Sequence, residues 1–381
     1  MEPVIIGIIG CGVISDAYLK GAAGSNLITV KAVADLRQEN AEEKAKVYGC
    51  QAMTAEQLLA DQDIEIVLNL TIPAVHAKVA LDILNAGKHP YSEKPLAAVL
   101  RDADQVIKRA KELGLRVGCA PDTFFGASHQ AARRIIDQGI LGRVVAGSVT
   151  IASHGMEHWH PDPRFFYQPG GGPHADVGPY YITQLVNLLG PVKSVTAVAT
   201  RAFDQRTITS EKLNGTTFEV AVPTTINGSL LFVSGANVSL TMSWDIWASR
   251  RPKFEIYGTE GSLQGADPNH FGGAPELFLK GGDWREVSIS DFAFGTPNRT
   301  TIFGQEVADY RVVGLIDMAV ALRSGRPHRA SGELAYHILE IIEALELSSA
   351  ARNQVQLSST CGRPAALMEG RDEAVLLEPT G

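Results

Sequence analysis

Val4-Ile5-Ile6-Gly7-Ile8-Ile9-Gly10-Cys11-Gly12-Val13-Ile14-Ser15 is the stretch that decides the fold of this chain. Residues 4–9 form a short, continuous apolar run, the pattern of a strand buried on both faces. A glycine turn follows and opens a helix. Gly10 permits the tight turn, and Gly12 has no side chain to hold the backbone away from a bound pyrophosphate. The third position of the pattern, where the helix approaches the sheet, holds Ser15, small but not glycine. Free N–H groups at the helix start, across Cys11, Gly12, Val13 and Ile14, then face the phosphate charge. Taken alone, such a string also describes an ordinary tight turn.

The next apolar run, residues 28–34, leads into Asp35, 20 residues beyond Ser15. A carboxylate there accepts both ribose hydroxyls of an adenosine half and repels a 2′-phosphate, which favours NAD over NADP. Arg37 softens that preference, because it can pair with a phosphate. The structural alternative for Asp35 is a cap for the following helix.

Outward from this unit, apolar runs at 65–70 and 116–119 alternate with helical stretches at 40–48, 55–60, 75–86 and 102–112. Asn85-Ala86-Gly87 and Gly114 read as helix ends, each followed by the next strand. The expected fold is α/β, beginning with a doubly wound, parallel Rossmann sheet over residues 1–123. Beyond it the pattern changes. One helix is expected at 128–139, closed near Gly139 and Gly142. Strand-like runs rich in Val, Thr and Phe follow at 144–153, 194–200, 216–222, 225–232, 238–243, 253–257 and 286–289. Long helices are expected at 305–323 and 332–351. Residues 124–362 thus read as an α+β domain with a mostly antiparallel sheet, and the family resemblance carried by the motifs below implies a large, open sheet serving substrate binding and oligomerisation. Residues 363–381 read as a C-terminal surface arm.

Composition narrows the function. At 381 residues the chain suits two domains, and 45% hydrophobic with 20% charged residues is a globular balance. A net charge of −8 with scattered acids argues against a nucleic-acid or anionic-membrane surface. No apolar run approaches the roughly 20 residues of a membrane span. The N-terminal run lacks the basic flank and cleavage site of a signal peptide. Cys11, Cys50, Cys119 and Cys361 have neither zinc-site nor disulfide-framework spacing, and a cytoplasmic protein with reduced thiols is expected.

Two further motifs carry a family resemblance. One is Thr71-Ile72-Pro73-Ala74-Val75-His76, followed by Gly87-Lys88 and Glu93-Lys94-Pro95; the other is Gly170-Gly171-Gly172-Pro173-His174-Ala175-Asp176-Val177-Gly178-Pro179-Tyr180. With the glycine turn, and through Tyr257-Gly258-Thr259-Glu260-Gly261, the chain resembles the Gfo/Idh/MocA sugar and polyol oxidoreductases. The resemblance implies that substrate lies between the two domains against the nicotinamide. It implies that the loop of Thr71, Ile72, Pro73 and His76 runs beside the cofactor. The Glu93-Lys94-Pro95 turn reaches toward nicotinamide and substrate, its Lys94–Pro95 peptide often being cis in the family.

Hydride transfer from an alcohol carbon requires that carbon to be held over the nicotinamide and the hydroxyl proton to be removed. Lys94 can stabilise the developing alkoxide, and burial beside a positive nicotinamide is expected to lower its pKa enough to relay the proton. Its alternative is a surface lysine. Asp176 matches the family aspartate that binds substrate hydroxyls. Tyr180 stands where many members have a histidine base. A tyrosine of ordinary pKa, about 10, is a poor base near neutrality without a cation beside the phenolate. Lys94 is the expected cation, giving a catalytic set of Lys94, Tyr180 and Asp176. A buried aromatic is the alternative for Tyr180.

His154, His158 and His160 lie close together in a Pro-containing loop with Trp159 and Arg164. Their spacing does not match a helical metal motif, and no metal is expected. The loop reads as substrate-binding: Trp159 stacks on a sugar face, while His154, His160 and Arg164 meet hydroxyls or a carboxylate. The alternative is simple packing at the domain boundary. Asp122 and Thr123, at the crossing between domains, are expected to border nicotinamide and substrate, unless they only cap a helix. His337 reads as a packed histidine on an apolar helix, with Glu340, Glu343 and Glu346 facing solvent.

The expected activity is oxidation of a hydroxyl of a small sugar or polyol, with an aldose giving a lactone if the hydroxyl is anomeric. A redox-neutral, NAD-retaining enzyme that cleaves or epimerises glycosides is a second reading. A non-enzymatic dinucleotide sensor is a third. An uncovered sheet face predicts a homodimer or homotetramer.

Overall fold

The computed structural model describes residues 1–378. The last three residues of the expected C-terminal arm, 379–381, lie outside the described residues. Six strands, β1 (Val4–Ile9), β2 (Ile28–Ala34), β3 (Gln51–Ala52), β4 (Ile66–Asn69), β5 (His89–Ser92) and β6 (Gly118–Cys119), form one sheet in the order β3-β2-β1-β4-β5-β6. Every pair is parallel. Helices α1 (Ser15–Ala23), α2 (Gln38–Tyr48), α3 (Ala55–Ala60), α4 (His76–Asn85) and α5 (Leu100–Leu113) connect them. Val4, Ile6, Ile66, Val67 and Leu68 are fully buried, as a sheet covered on both faces requires. The chain reverses direction across the sheet between β1 and β4, so a crevice opens beyond their carboxyl ends. The glycine turn leaves β1 and the Thr71 loop leaves β4, which brings both to that crevice.

The second sheet has nine strands: β7 (Val144–Ala152), β8 (Val192–Thr200), β11 (Thr225–Phe232), β12 (Asn237–Ser243), β13 (Phe254–Gly258), β14 (Gly261–Gly265), β15 (Glu276–Leu279), β16 (Arg285–Glu286) and β19 (Val355–Gln356). All neighbours are antiparallel except β7 and β12. One face is covered by α6 (Ala127–Asp137), α8 (Gly178–Leu189) and α10 (Gly332–Ala351), with the short α7 (Pro173–Asp176) at its edge.

Several expectations needed correction. The run at 216–222 does not join the large sheet. It contributes β10 (Thr217–Glu219), which pairs with β9 (Gln205–Thr207) in a separate ribbon. The helix expected from 305 begins later, as α9 (Val313–Ser324). Before it, β17 (Arg299–Thr300) and β18 (Glu306–Val307) pair as a hairpin, so the span expected to be helical begins in a strand. The outer face of the nine-stranded sheet is mostly polar, carrying Ser148, Thr196, Asn227, Ser239, Thr241 and Glu255.

The arm is not a loose surface segment. Leu367, Val375 and Leu376 are buried, and Arg326 and Arg329 donate to the carbonyls of Leu376 and Ala365. The three α10 acids do not simply face solvent either. Glu340 accepts the N–H groups of Ser358 and Ser359, Glu343 accepts that of Leu100, and Glu346 meets His174. Each pins a distant segment onto α10.

His337 is packed, with Nε2 accepting the Val192 N–H at 3.0 Å. Burial pulls its pKa down to about 4, against roughly 6.5 when unfolded. A depressed pKa contributes stability above the unfolded value and loses it as pH falls toward the folded one. About 2 kcal/mol is therefore expected to disappear between pH 7 and pH 5. Urea midpoints at the two pH values, for the protein and for His337→Gln, check this. The variant should show a flatter dependence, and an unchanged slope would contradict it.

Candidate active site

Gly10 adopts φ +106°, and a Cβ there would lie 2.6 Å from the carbonyl atoms of Leu70. Only glycine allows β1 and β4 to end this close together. At Gly12 a Cβ would meet nothing within 4 Å: the space above the turn is open, as a pyrophosphate needs. Ser15 is buried and its hydroxyl donates to the Gly12 carbonyl at 2.6 Å, closing the turn. Asp35 Oδ2 accepts the Cys11 N–H at 2.8 Å, and Oδ1 accepts from Arg37 N–H and Asn40 Nδ2. The acid thus fixes the turn and still stands at the end of β2. Burial and Asp35 push the Cys11 thiol up to about 12, so it stays protonated.

Three large apolar side chains stand in solvent around this crevice: Val13 at 95%, Leu36 at 106% and Ile72 at 66% exposure. Water-facing aliphatic groups on both sides of an open glycine turn suit the flat rings of a dinucleotide. Leu36 was missed from the sequence. Its only signal was an apolar residue directly after Asp35, outside the strand pattern. Pro73 begins a short 3₁₀ turn beside Ile72, and Ile14 leads into α1 half-buried.

His76 does not face the crevice as expected. It is buried, with Nδ1 2.6 Å from the Pro95 carbonyl and Nε2 3.0 Å from that of Thr71. It ties the Thr71 loop to the Lys94 turn from beneath. The Thr71 hydroxyl donates to Asn69 at 2.6 Å. Glu93 also supports the turn: Oε1 accepts the Tyr18 hydroxyl and Oε2 the Lys94 N–H. The Lys94–Pro95 peptide is cis.

From that turn, Lys94 Nζ crosses to the second domain and donates to the Asp176 carbonyl at 2.7 Å and to its Oδ1 at 2.8 Å. Gly170 and Gly172, both at positive φ, bend the chain into α7, and His174 anchors α7 to Glu346. The protein's own groups act on Lys94 against the expected lowering. Burial alone would lower its pKa, but Asp176, Tyr180 and Glu93 outweigh burial and hold the ammonium above its ordinary value.

Lys94 Nζ lies 5.4 Å from the Tyr180 ring centre, and the Arg311 guanidinium lies 5.9 Å from it. Arg311 is held by Asp309 Oδ1 at 2.8 Å and Asn269 Oδ1 at 3.0 Å. Sequence reasoning missed Arg311, because it lies inside the segment read as the start of a helix. Two cations therefore flank Tyr180, not one.

Asp122 is not a cleft residue. It is 1% exposed, and its Oδ2 accepts the N–H groups of Val312 and Gly314, capping α9 across the domain boundary. Burial raises its pKa to about 6, against those two donors. Thr123 is buried beside it. In the loop after β7, Arg164 is spent on a two-bond pair with Asp162, at 2.7 and 2.6 Å. His160 Nδ1 accepts the Asp162 N–H, and Trp159 packs edge-on against His160. His154 is stacked on Trp247 with ring centres 3.4 Å apart. Among the described residues, no group of three or more His, Cys, Asp or Glu is placed to hold a metal. Among them, too, no helix is long and apolar enough to cross a membrane.

Residues 4–120 match the family model described as "Oxidoreductase family, NAD-binding Rossmann fold", and residues 129–264 match "GFO/IDH/MocA C-terminal domain". The chain is 26% identical over 268 residues to a 1,5-anhydro-D-fructose reductase of Ensifer adhaerens, covering 68% of this chain and 74% of the relative. It is 24% identical over 290 residues to a levoglucosan dehydrogenase of Pseudarthrobacter phenanthrenivorans, covering 69% and 73%. A solved levoglucosan dehydrogenase, in complex with NADH and L-sorbose, shares the fold with a TM-score of 0.78 at 22% identity, covering 93% and 99%.

Proposed function

Because this chain belongs to the Gfo/Idh/MocA family of NAD-binding sugar oxidoreductases, we propose that it oxidises one hydroxyl of a small sugar or polyol. The observation that carries this reading is the Lys94–Asp176 contact across the two sheets, with Tyr180 between Lys94 and Arg311. When bound, NAD supplies the hydride acceptor. The open space over Gly12 and the exposed Val13, Leu36 and Ile72 fit that group. We take residues 1–123 as its domain and 124–362 as the substrate domain.

Lys94 and Asp176 orient the reacting hydroxyl: the ammonium donates to its oxygen, and the carboxylate accepts from a neighbouring hydroxyl. To take up the hydroxyl proton the Tyr180 oxygen must enter the step as a phenolate, and the charges of Lys94 and Arg311 beside the ring favour that form. An aldose oxidised at C1 to a lactone is the favoured case, supported by a relative named as a D-xylose dehydrogenase. The four free cysteines support a reducing, cytoplasmic setting. A homodimer or homotetramer through the large sheet would rest on polar contacts. The test is NAD reduction by purified protein across aldoses, inositols and deoxy sugars. No NADH with any of them would reject the proposal.

Asp35 supports NAD over NADP. Asp35→Asn keeps an acceptor for the Cys11 N–H but removes the charge. It is expected to lower kcat/KM for NAD roughly tenfold, about 1.4 kcal/mol, and to raise that for NADP, with the exposed Arg37 nearby. Steady-state kinetics with both cofactors check this. An unchanged NAD:NADP ratio would remove Asp35 from cofactor selection.

A further inference from the structure

A second concave site lies where β7 and β12 end. It is a cleft of about 770 Å³, inside the roughly 300–1,000 Å³ range of small-molecule sites. Its floor is the buried Arg206, whose Nη1 donates to Glu157 Oε1 at 2.6 Å and whose Nη2 pairs with Asp245. The remaining oxygens are also held. Glu157 Oε2 accepts the Tyr167 hydroxyl at 2.7 Å, and Asp245 Oδ2 accepts from Thr224 and Thr225. The floor is thus rigid before any ligand arrives. One wall is Trp247, whose indole is backed by His154 on one face yet remains 81% exposed. Phe203, half exposed, and His158 also line the cleft.

We propose that this cleft binds a neutral pyranose ring of the substrate, distal to the ring that is oxidised. The inference rests on the sugar-oxidising reading above and extends it from single sugars to glycosides and disaccharides. Arg206 is already paired with Glu157 and Asp245, so it is not free to meet a phosphate or uronate. The hydroxyls of Thr207 and Thr209 at the cleft suit a polyol, and an exposed, backed indole is a flat apolar platform for the C–H face of a sugar. The cleft shares its support with the reaction centre. Val177, next to Asp176, packs on the cluster of Tyr167 and Trp244, and these two residues also hold Arg206.

The experiment uses the full-length protein with NAD and compares glucose with cellobiose and maltose. In Trp247→Ala, the ratio of kcat/KM for the better disaccharide to that for glucose is expected to fall about tenfold or more, through KM. Phe203→Ala should act in the same direction. Trp284→Ala, another exposed aromatic that packs on Phe278 and lies outside the cleft, serves as the control and should leave the ratio alone. Calorimetric titration of cellobiose and maltose into NAD-loaded protein reads the cleft without turnover. If no sugar is oxidised but a disaccharide binds and Trp247→Ala weakens it about tenfold, the cleft stands and the reaction assignment fails. Equal losses for glucose and disaccharide, no change in the ratio, no disaccharide binding, or a change of oligomeric state in Trp247→Ala would each overturn the proposal.

Discussion

Lys94→Ala is expected to lower kcat by about 10³-fold or more while leaving the affinity for NAD within a fewfold. The ammonium makes two hydrogen bonds to Asp176, at 2.7 and 2.8 Å, and stands 5.4 Å from the Tyr180 ring centre. Its removal leaves Asp176 without its partner and Tyr180 with Arg311 alone. A donor aimed at developing negative charge in a partly dry site is worth about 3–4 kcal/mol in the transition state, the scale of an oxyanion-hole donor. The cofactor turn is built by other residues, Gly10, Gly12, Ser15 and Asp35, so binding should survive. Lys94→Arg should not restore the rate, because a planar fork cannot place one donor on both Asp176 oxygens. NADH absorbance for turnover and fluorescence titration for NAD affinity separate the two effects. A kcat within about tenfold of the parent would remove Lys94 from the chemistry.

Asp317→Asn is expected to cost about 3–5 kcal/mol of stability, the largest loss from a single change outside the reaction centre. Asp317 is fully buried on α9. Its Oδ1 accepts from Arg326 at 2.7 Å and Arg329 at 2.5 Å, and its Oδ2 accepts the Arg329 N–H at 2.7 Å. Both guanidinium groups are themselves buried. Asparagine keeps the shape but leaves two positive charges without a counter-charge, in a place where water cannot screen them. The same two arginines hold the carbonyls of residues 365, 366 and 376, so the segment after residue 362 should loosen with them. Urea midpoints measure the loss, and hydrogen exchange over 363–378 measures the loosening. Stability within 1 kcal/mol of the parent, with an unchanged arm, would show that the triad is not what secures it.

Most of the first domain was legible because its signals are local. The apolar run at 4–9, the glycines and Ser15 specify a strand, a turn and a helix within a dozen residues, and the structure places each there. α10 begins and ends at residues 332 and 351, as the pattern predicts, because Ser331 caps its start and Arg352, in the left-handed region, ends it. The strands after residue 200 were less legible. Several are short, and a ribbon such as β9–β10 has the same alternation as a strand of the main sheet. The start of α9 could not be read at all, because its cap, Asp122, lies 190 residues earlier.

The sequence by itself determined the backbone of the glycine turn and, through its motifs, singled out Lys94, Asp176 and Tyr180, which the fold brings together. Backbone geometry at Gly10 follows from the absence of a Cβ, a property the residue carries wherever the chain goes. Only the tertiary structure decided the electrostatics. Asp176, 82 residues away, together with Tyr180 and Glu93 offsets the burial that by itself would lower the Lys94 pKa. Arg311 became the second cation on Tyr180, while Asp122, His76 and Arg164 were drawn into structural bonds. A side chain's conformational preference is its own; its charge and its freedom to act belong to whatever the fold sets beside it.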